Sequence, residues 1–187
     1  MSSPRLKDMI DEKILNNRKI FLWGQVDDNT AKHVIDRLLY LELRDPEKEI
    51  QLIINSPGGY VTSGFAIYDT MKSLQSPIST ICSGFAASMA SILLSAGTKG
   101  RRFVMKHGRV MIHQPSGGTG GNASDIEIQA DELIKSKELS AKLLAENCGH
   151  SPEKIMKDFN RDLFMNAEEA VTYGITDSVI SSLISPN

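Results

Sequence analysis

Cysteine is scarce in this chain, with two in 187 residues. Cys82 lies in an apolar run and Cys148 near a helix end, so they make no disulfide scaffold, and nothing around them has the spacing of a zinc site. Two reduced, packed thiols are expected. Long hydrophobic runs are missing as well. No stretch approaches the roughly 20 apolar residues of a membrane span, and residues 1–13 are polar and charged, without the apolar centre of a secretory signal. Nor does one sign of charge dominate: Lys and Arg number 21, Asp and Glu 23, for a formal charge of −2. The longest basic run, Lys99 to Arg102, is no footprint for nucleic acid. These absences predict a soluble, cytoplasmic protein with neither nucleic-acid nor membrane partners. The length suits one domain that buries about 70% of its unfolded surface, and no internal repeat or linker divides it.

What is present is an alternation of short β-like runs with helical ones, the signature of an α/β fold. Strands are expected at 19–23, 50–54, 78–82, 102–105, 109–112 and 175–180. Asp28, Asn29 or Thr30 is expected to cap a helix whose Val34, Ile35, Leu38, Leu39 and Leu41 follow the helical period, with Asp45-Pro46 as its stop. Asn55-Ser56-Pro57-Gly58-Gly59 reads as a tight turn, followed by a helix from Val61. A helix over 86–96 with Gly97 as its cap follows. The longest helix is expected from about Ser124 to Gly149, with Ile126, Ala130, Leu133, Ile134, Lys137, Ala141 and Leu144 on one stripe. Ser151-Pro152 starts a short helix, and Asn166 with Glu169 resembles a capping box on another that Gly174 closes.

Chemistry is expected where strands open into turns. Ser88 follows the run 78–82 and a Gly-containing turn, His113 ends the run 109–112 before Gln114-Pro115, and Asp162 precedes the capped helix. A serine hydroxyl needs a base to take its proton, and an imidazole does so best when a carboxylate orients it. With Ser88 in the first turn of a helix, the Met89 N–H supplies one oxyanion donor, and Gly59, free to approach a bound carbonyl closely, supplies another. Taken singly, each residue has a plainer reading: Ser88 as packing or capping, His113 as a hydrogen-bonded structural histidine, Asp162 as a surface charge beside Arg161. There is no Gly-x-Ser-x-Gly elbow, and the chain order Ser, His, Asp differs from the familiar hydrolase and protease orders.

The segment 116–122 carries four glycines. It lacks the Gly-Lys-Ser/Thr ending of a phosphate loop, and Asp125 and Glu127 follow it. A plain flexible loop is one reading. An extended edge that pairs with a peptide backbone is another.

Taken together, Ile54-Asn55-Ser56-Pro57-Gly58-Gly59, Ala86-Ala87-Ser88-Met89, Val110-Met111-Ile112-His113-Gln114-Pro115 and Asn166-Ala167-Glu168-Glu169-Ala170-Val171 resemble, in order, the motifs of the ClpP family of proteolytic subunits. The similarity runs from about Lys19 to Val179, and the spacing of Ser88, His113 and Asp162 fits its pattern. The resemblance implies a repeated β-β-α superhelix of the ClpP/crotonase-like kind, in one peptidase domain over 1–187. Residues 1–18 would be an N-terminal segment, and 116–148 a handle made of a Gly-rich strand and the long helix.

It further implies an ATP-dependent serine endopeptidase subunit acting in protein quality control. Ser88 would be the nucleophile, His113 the base and Asp162 its orienting partner, with Gly59 and Met89 as oxyanion donors and Gly117, Gly118, Thr119 and Gly120 as the peptide-binding strand. Two heptamers would stack into a tetradecameric chamber that takes unfolded polypeptide, with no metal and no cofactor in the subunit and ATP consumed by a partner AAA+ unfoldase. Arg161 would contribute to ring–ring contacts. The chain departs from the family pattern in its short N-terminal segment, in Gln51, Ile53 and Ser73 where an aromatic docking pocket is usual, and in Ala90-Ser91 after Met89. The first two departures imply a divergent paralogue working in mixed rings with a second ClpP-like subunit. A structural or partner-dependent subunit is the alternative. An acyl-CoA enzyme on the related fold ranks lowest, because it leaves the triad spacing unexplained.

Overall fold

The computed structural model describes residues 6–118 and 120–183. The chain begins with helix α1 (Leu6–Asn16), strand β1 (Lys19–Trp23), α2 (Asp28–Arg44), β2 (Ile50–Ser56), α3 (Val61–Ser73) and β3 (Ile78–Ala87). It continues through α4 (Met89–Ser95), β4 (Arg102–Met105), β5 (Arg109–Ile112) and the long α5 (Ala123–Cys148). Helix α6 (Pro152–Asp158), strand β6 (Leu163–Met165), α7 (Ala167–Tyr173) and β7 (Ser178–Ile180) complete the described part. All seven strands belong to one mixed sheet in the order β1-β2-β3-β4-β7, with β5 on β3 and β6 on β5.

The order runs without the reversal that defines a doubly wound nucleotide fold, which agrees with the ClpP-like fold expected above. Neighbours along β1-β2-β3-β4 are parallel and joined through helices, because parallel strands cannot be linked by a tight turn. One face of the sheet buries Ile20, Leu22, Leu52, Ile54 and Val104 in the main core, together with Val34, Leu38 and Leu41 of α2 and Ile67 of α3. All seven residues of α4 are buried, which places the helix that begins after Ser88 at the centre of the molecule. On the opposite face a smaller cluster gathers Ile53, Ile81 and Ile180, with Phe21, Phe103 and Leu183 against it.

Several boundaries differ from expectation for identifiable reasons. The N-cap of α2 is Asp27, one residue ahead of the expected set; its carboxylate accepts from Thr30 N at 2.8 Å while Thr30 Oγ1 accepts from Asp27 N at 2.9 Å. The segment before β1 contains α1, a helix with no buried residue. Gly97 is not a left-handed cap: the C-cap is Ala96 in the right-handed region, and Gly97 is small because a Cβ there would lie 2.4 Å from Thr80 Oγ1. The last strand spans 178–180 only, since Ile175 N and Thr176 N are both bonded to Ala170 O at the end of α7. On α5 the expected stripe meets the core only near its end, through Ala141, Leu144 and neighbouring Ser140 and Ala145, whereas Ile126 and Ile134 are exposed.

Candidate active site

The site begins with an irregularity in the sheet. β2 and β3 pair Ile54 with Cys82 and then Ser56 with Ala86, so β3 spends four residues where β2 spends two. Asn55 fills the resulting gap: its Oδ1 accepts from Phe85 N at 3.0 Å and lies where a side chain on Gly84 (φ 107) would have to go. Before the bulge β3 pairs with β4 through Thr80–Cys82, and after it with β5 through Phe85–Ala87. The strand therefore runs on through Ala86 and Ala87, which the sequence placed in a helix. Ser88 is consequently not in a first helical turn. It stands between strand and helix at φ 55, ψ −125, where a non-glycine residue costs on the order of 1–3 kcal/mol. Ser88 N donates to Met111 O at 2.9 Å as the last bond to β5.

The turn after β2 packs directly on this strained residue. Ser56 is buried and its Oγ accepts from Gly58 N at 3.0 Å. Val26 N then donates to Gly58 O at 2.8 Å, and Tyr60 N donates to Val26 O at 2.7 Å. The N–H groups of Gly59, between them, and of Met89, at the start of α4, have no acceptor among the described residues. Both are thus available to a negatively charged oxygen. A Cβ on Gly58 (φ 86) would sit 2.6 Å from Ala87 O, 2.8 Å from Ser88 Cβ and 2.9 Å from Met89 N. Those neighbours are backbone or directly attached to it, so they cannot rotate away. Gly58→Ala is expected to lower Tm by several degrees. An unchanged Tm would show that this contact does not shape the turn.

His113 and Asp162 are brought together by strand register. β5 and β6 pair antiparallel, Val110 with Met165, Met111 with Phe164 and Ile112 with Leu163, and the same register sets His113 opposite Asp162. His113 Nδ1 lies 3.1 Å from Asp162 Oδ1. An ionised carboxylate only accepts, so a neutral imidazole paired with one holds its proton on Nδ1 and offers Nε2 as the acceptor. Ser88 is half-buried, and no hydrogen bond joins its Oγ to His113 among the described residues. The histidine–aspartate half of the arrangement is formed; the serine–histidine half is open.

Beside this pair lies a cavity of about 490 Å³ lined by His113, Gln114, Ser116, Asn160, Arg161 and Asp162. A second, more apolar cavity of about 430 Å³ is lined by Val61, Pro115, Gly117, Gly118 and Leu133, among others. Gly117, Gly118 and Gly120 belong to no strand, and Thr119 lies outside the described residues. A Cβ on Gly118 or Gly120 would meet nothing within 4 Å. The two thiols are poor nucleophiles here, since burial pushes Cys82 and Cys148 each up to about 12. No group of three His, Cys, Asp or Glu side chains is placed to hold a metal among the described residues, and no described helix is long and apolar enough to cross a membrane.

Sequence reasoning missed β6 and the place of Asn55 in the bulge. The apolar triplet Leu163-Phe164-Met165 between Asp162 and the Asn166 cap was the available signal for β6. Asn55 carried none beyond its place in the turn motif.

An α/β fold with Ser88 at a strained strand-to-helix turn, two open N–H groups beside it and a paired histidine and aspartate nearby is of the class that supports serine hydrolases. The family model described as Clp protease matches residues 3–183, and the chain belongs to that family. It is a ClpP-like peptidase by that membership.

Proposed function

We propose that this chain is a serine endopeptidase subunit that cuts unfolded polypeptide inside a ring-shaped chamber. The observation that carries the reading is the conjunction, at one end of β3 and β5, of strained Ser88, the open N–H groups of Gly59 and Met89, and the His113–Asp162 pair. In this mechanism His113 Nε2 takes the Ser88 proton as Oγ attacks the scissile carbonyl. The oxyanion that forms is held by the Gly59 and Met89 N–H groups, each worth about 3 kcal/mol. His113 then passes its proton to the leaving amine, and water, deprotonated by the same imidazole, releases the acyl group from Ser88. Asp162 holds the imidazole through Nδ1. Gly117, Gly118, Thr119 and Gly120 would present backbone to the substrate as an added strand, and 116–148 would form the handle between two heptameric rings. The family resemblance extends the reading to a partner AAA+ unfoldase that consumes ATP, with no cofactor in the subunit itself and a cytoplasmic setting.

A second reading is a structural or partner-dependent subunit, inactive as a homo-oligomer, that reacts only beside a second ClpP-like chain. The lack of a Ser88 Oγ–His113 hydrogen bond among the described residues favours it, as do Gln51, Ile53 and Ser73 at the family's docking positions.

Intact mass after fluorophosphonate treatment separates the two. One adduct on the wild type and none on Ser88→Ala is expected for a self-sufficient protease. No adduct on the isolated chain, but one after a second ClpP-like subunit is added, would establish partner dependence. No adduct under either condition would sink the protease reading.

A further inference from the structure

We infer that Gln114 is a positioning residue that holds the Asp162 loop in register with His113, an assignment that rests on the protease reading above. The loop after α6 carries Asp162 between two anchors, the fully buried Phe159 and the start of β6 at Leu163. Only residues 160–162 lie between them. Asp162 itself is a poor anchor: its side chain is 57% exposed, and its Oδ1 contact with His113 is what orients it. Gln114 follows His113 directly and grips this loop twice. Its backbone N–H donates to Phe159 O at 2.7 Å, which any residue but proline could do. Its side-chain Nε2 donates to Asn160 O at 3.0 Å and faces Asn160 Oδ1 at 3.4 Å.

Two oxygens facing one side-chain nitrogen require a donor there, so the amide is needed for its N–H and not for its bulk. The bond fixes the first residue of the three-residue span, two positions before Asp162. Released from it, the loop is held at 159 and 163 only, and the carboxylate can turn toward water while the fold remains intact. The imidazole then loses its orientation, and misplacement of a catalytic group by about 1 Å can cost on the order of 100-fold in rate.

The test is a double-mutant cycle on the full chain, with the partner ring present if labelling requires it. The rate of fluorophosphonate addition to Ser88, and kcat and KM for a peptide, are measured for wild type, Gln114→Met, Gln114→Glu, Asp162→Ala and Gln114→Met combined with Asp162→Ala. Met and Glu keep the length of glutamine and share only the loss of the donor. Both are expected to lower the labelling rate and kcat about 10- to 100-fold, with KM and Tm close to wild type. In the Asp162→Ala background, Gln114→Met is expected to add no further loss, because residues that act through one another are not additive.

Wild-type rates in both single variants would overturn the assignment. An equal fold-loss with and without Asp162 would do the same, by showing that Gln114 acts elsewhere. So would failure of both variants to fold or assemble, which would make the role structural. A wild type that never labels overturns the protease reading and this assignment with it; a reactive wild type with unaffected variants overturns the assignment alone.

Discussion

Ser88→Ala is expected to lower peptide turnover by about 10⁴-fold or more while leaving folding and assembly nearly unchanged. In the proposed mechanism the size follows from the triad acting as a unit: without Oγ there is nothing for His113 to deprotonate, and what remains is binding and the two backbone donors of Gly59 and Met89. The neutral effect on folding follows from the position. Ser88 is half-buried and its side chain caps nothing, since no side-chain bond is made to α4. Its stabilising contacts, Ser88 N to Met111 O and Ser91 Oγ to Ser88 O, run through backbone atoms that alanine keeps. Steady-state hydrolysis of a fluorogenic peptide, with thermal unfolding as control, checks both halves. Residual cleavage near the wild-type rate would remove Ser88 as the nucleophile.

The largest expected effect on stability lies elsewhere, at Arg102. This side chain, 4% exposed, sits on β4 and joins four parts of the chain. Its Nε and Nη2 meet the two oxygens of Asp177 at 3.0 and 2.5 Å. Nη1 donates to Asn147 O at 2.8 Å near the end of α5 and to Gly174 O at 2.9 Å after α7, carbonyls that a helix end leaves unpaired. Arg102→Met keeps an apolar stem and the backbone N–H that donates to Asp177 Oδ2 at 2.9 Å, but takes the charge and both side-chain donors from a carboxylate whose side chain is only 19% exposed. Removing one partner of such a pair costs about 3–5 kcal/mol, which for a chain of this size is a Tm drop of roughly 10 °C. An unchanged Tm would show that water already satisfies the carboxylate.

The same pair sets a pH dependence with a definite sign. Burial raises the pKa of Asp177, but the hydrogen bonds and charge of Arg102 outweigh it and hold the carboxyl below its ordinary value. Its folded pKa therefore lies under the unfolded one, about 3.9. The stability it contributes is present above that pH and is lost as pH falls through the folded value. In Arg102→Met the carboxylate has no such partner, and protonation relieves it. The Tm gap between wild type and variant is thus expected to narrow below about pH 4, and a gap as wide at pH 3 as at pH 7 would contradict the assignment.

Much of the fold was legible in the chain because its markers are local. Ser151-Pro152, the Asn166 and Glu169 box, and the glycines after α5 and α7 are all where capping chemistry placed them. Those signals are decided by neighbours within about four residues, and the strand end bearing His113 came from a short apolar run closed by proline. The helix start was misjudged for the opposite reason. Ala86 and Ala87 favour helix by propensity, yet they stay in β3 because β5, more than twenty residues away in sequence, supplies the ladder.

The sequence by itself determined most of the element types, the turn at Asn55-Ser56-Pro57-Gly58-Gly59 and the candidates Ser88, His113 and Asp162. Only the tertiary structure decided their geometry: the φ of Ser88, imposed by a last bond to Met111 before α4 turns into the core; the meeting of His113 with Asp162, set by the β5–β6 register; and the grip of Gln114 on the loop between them. Each depends on partners that sequence separation conceals, since a hydrogen bond across strands is chosen by the packing of the whole sheet and leaves no periodic trace in either segment alone.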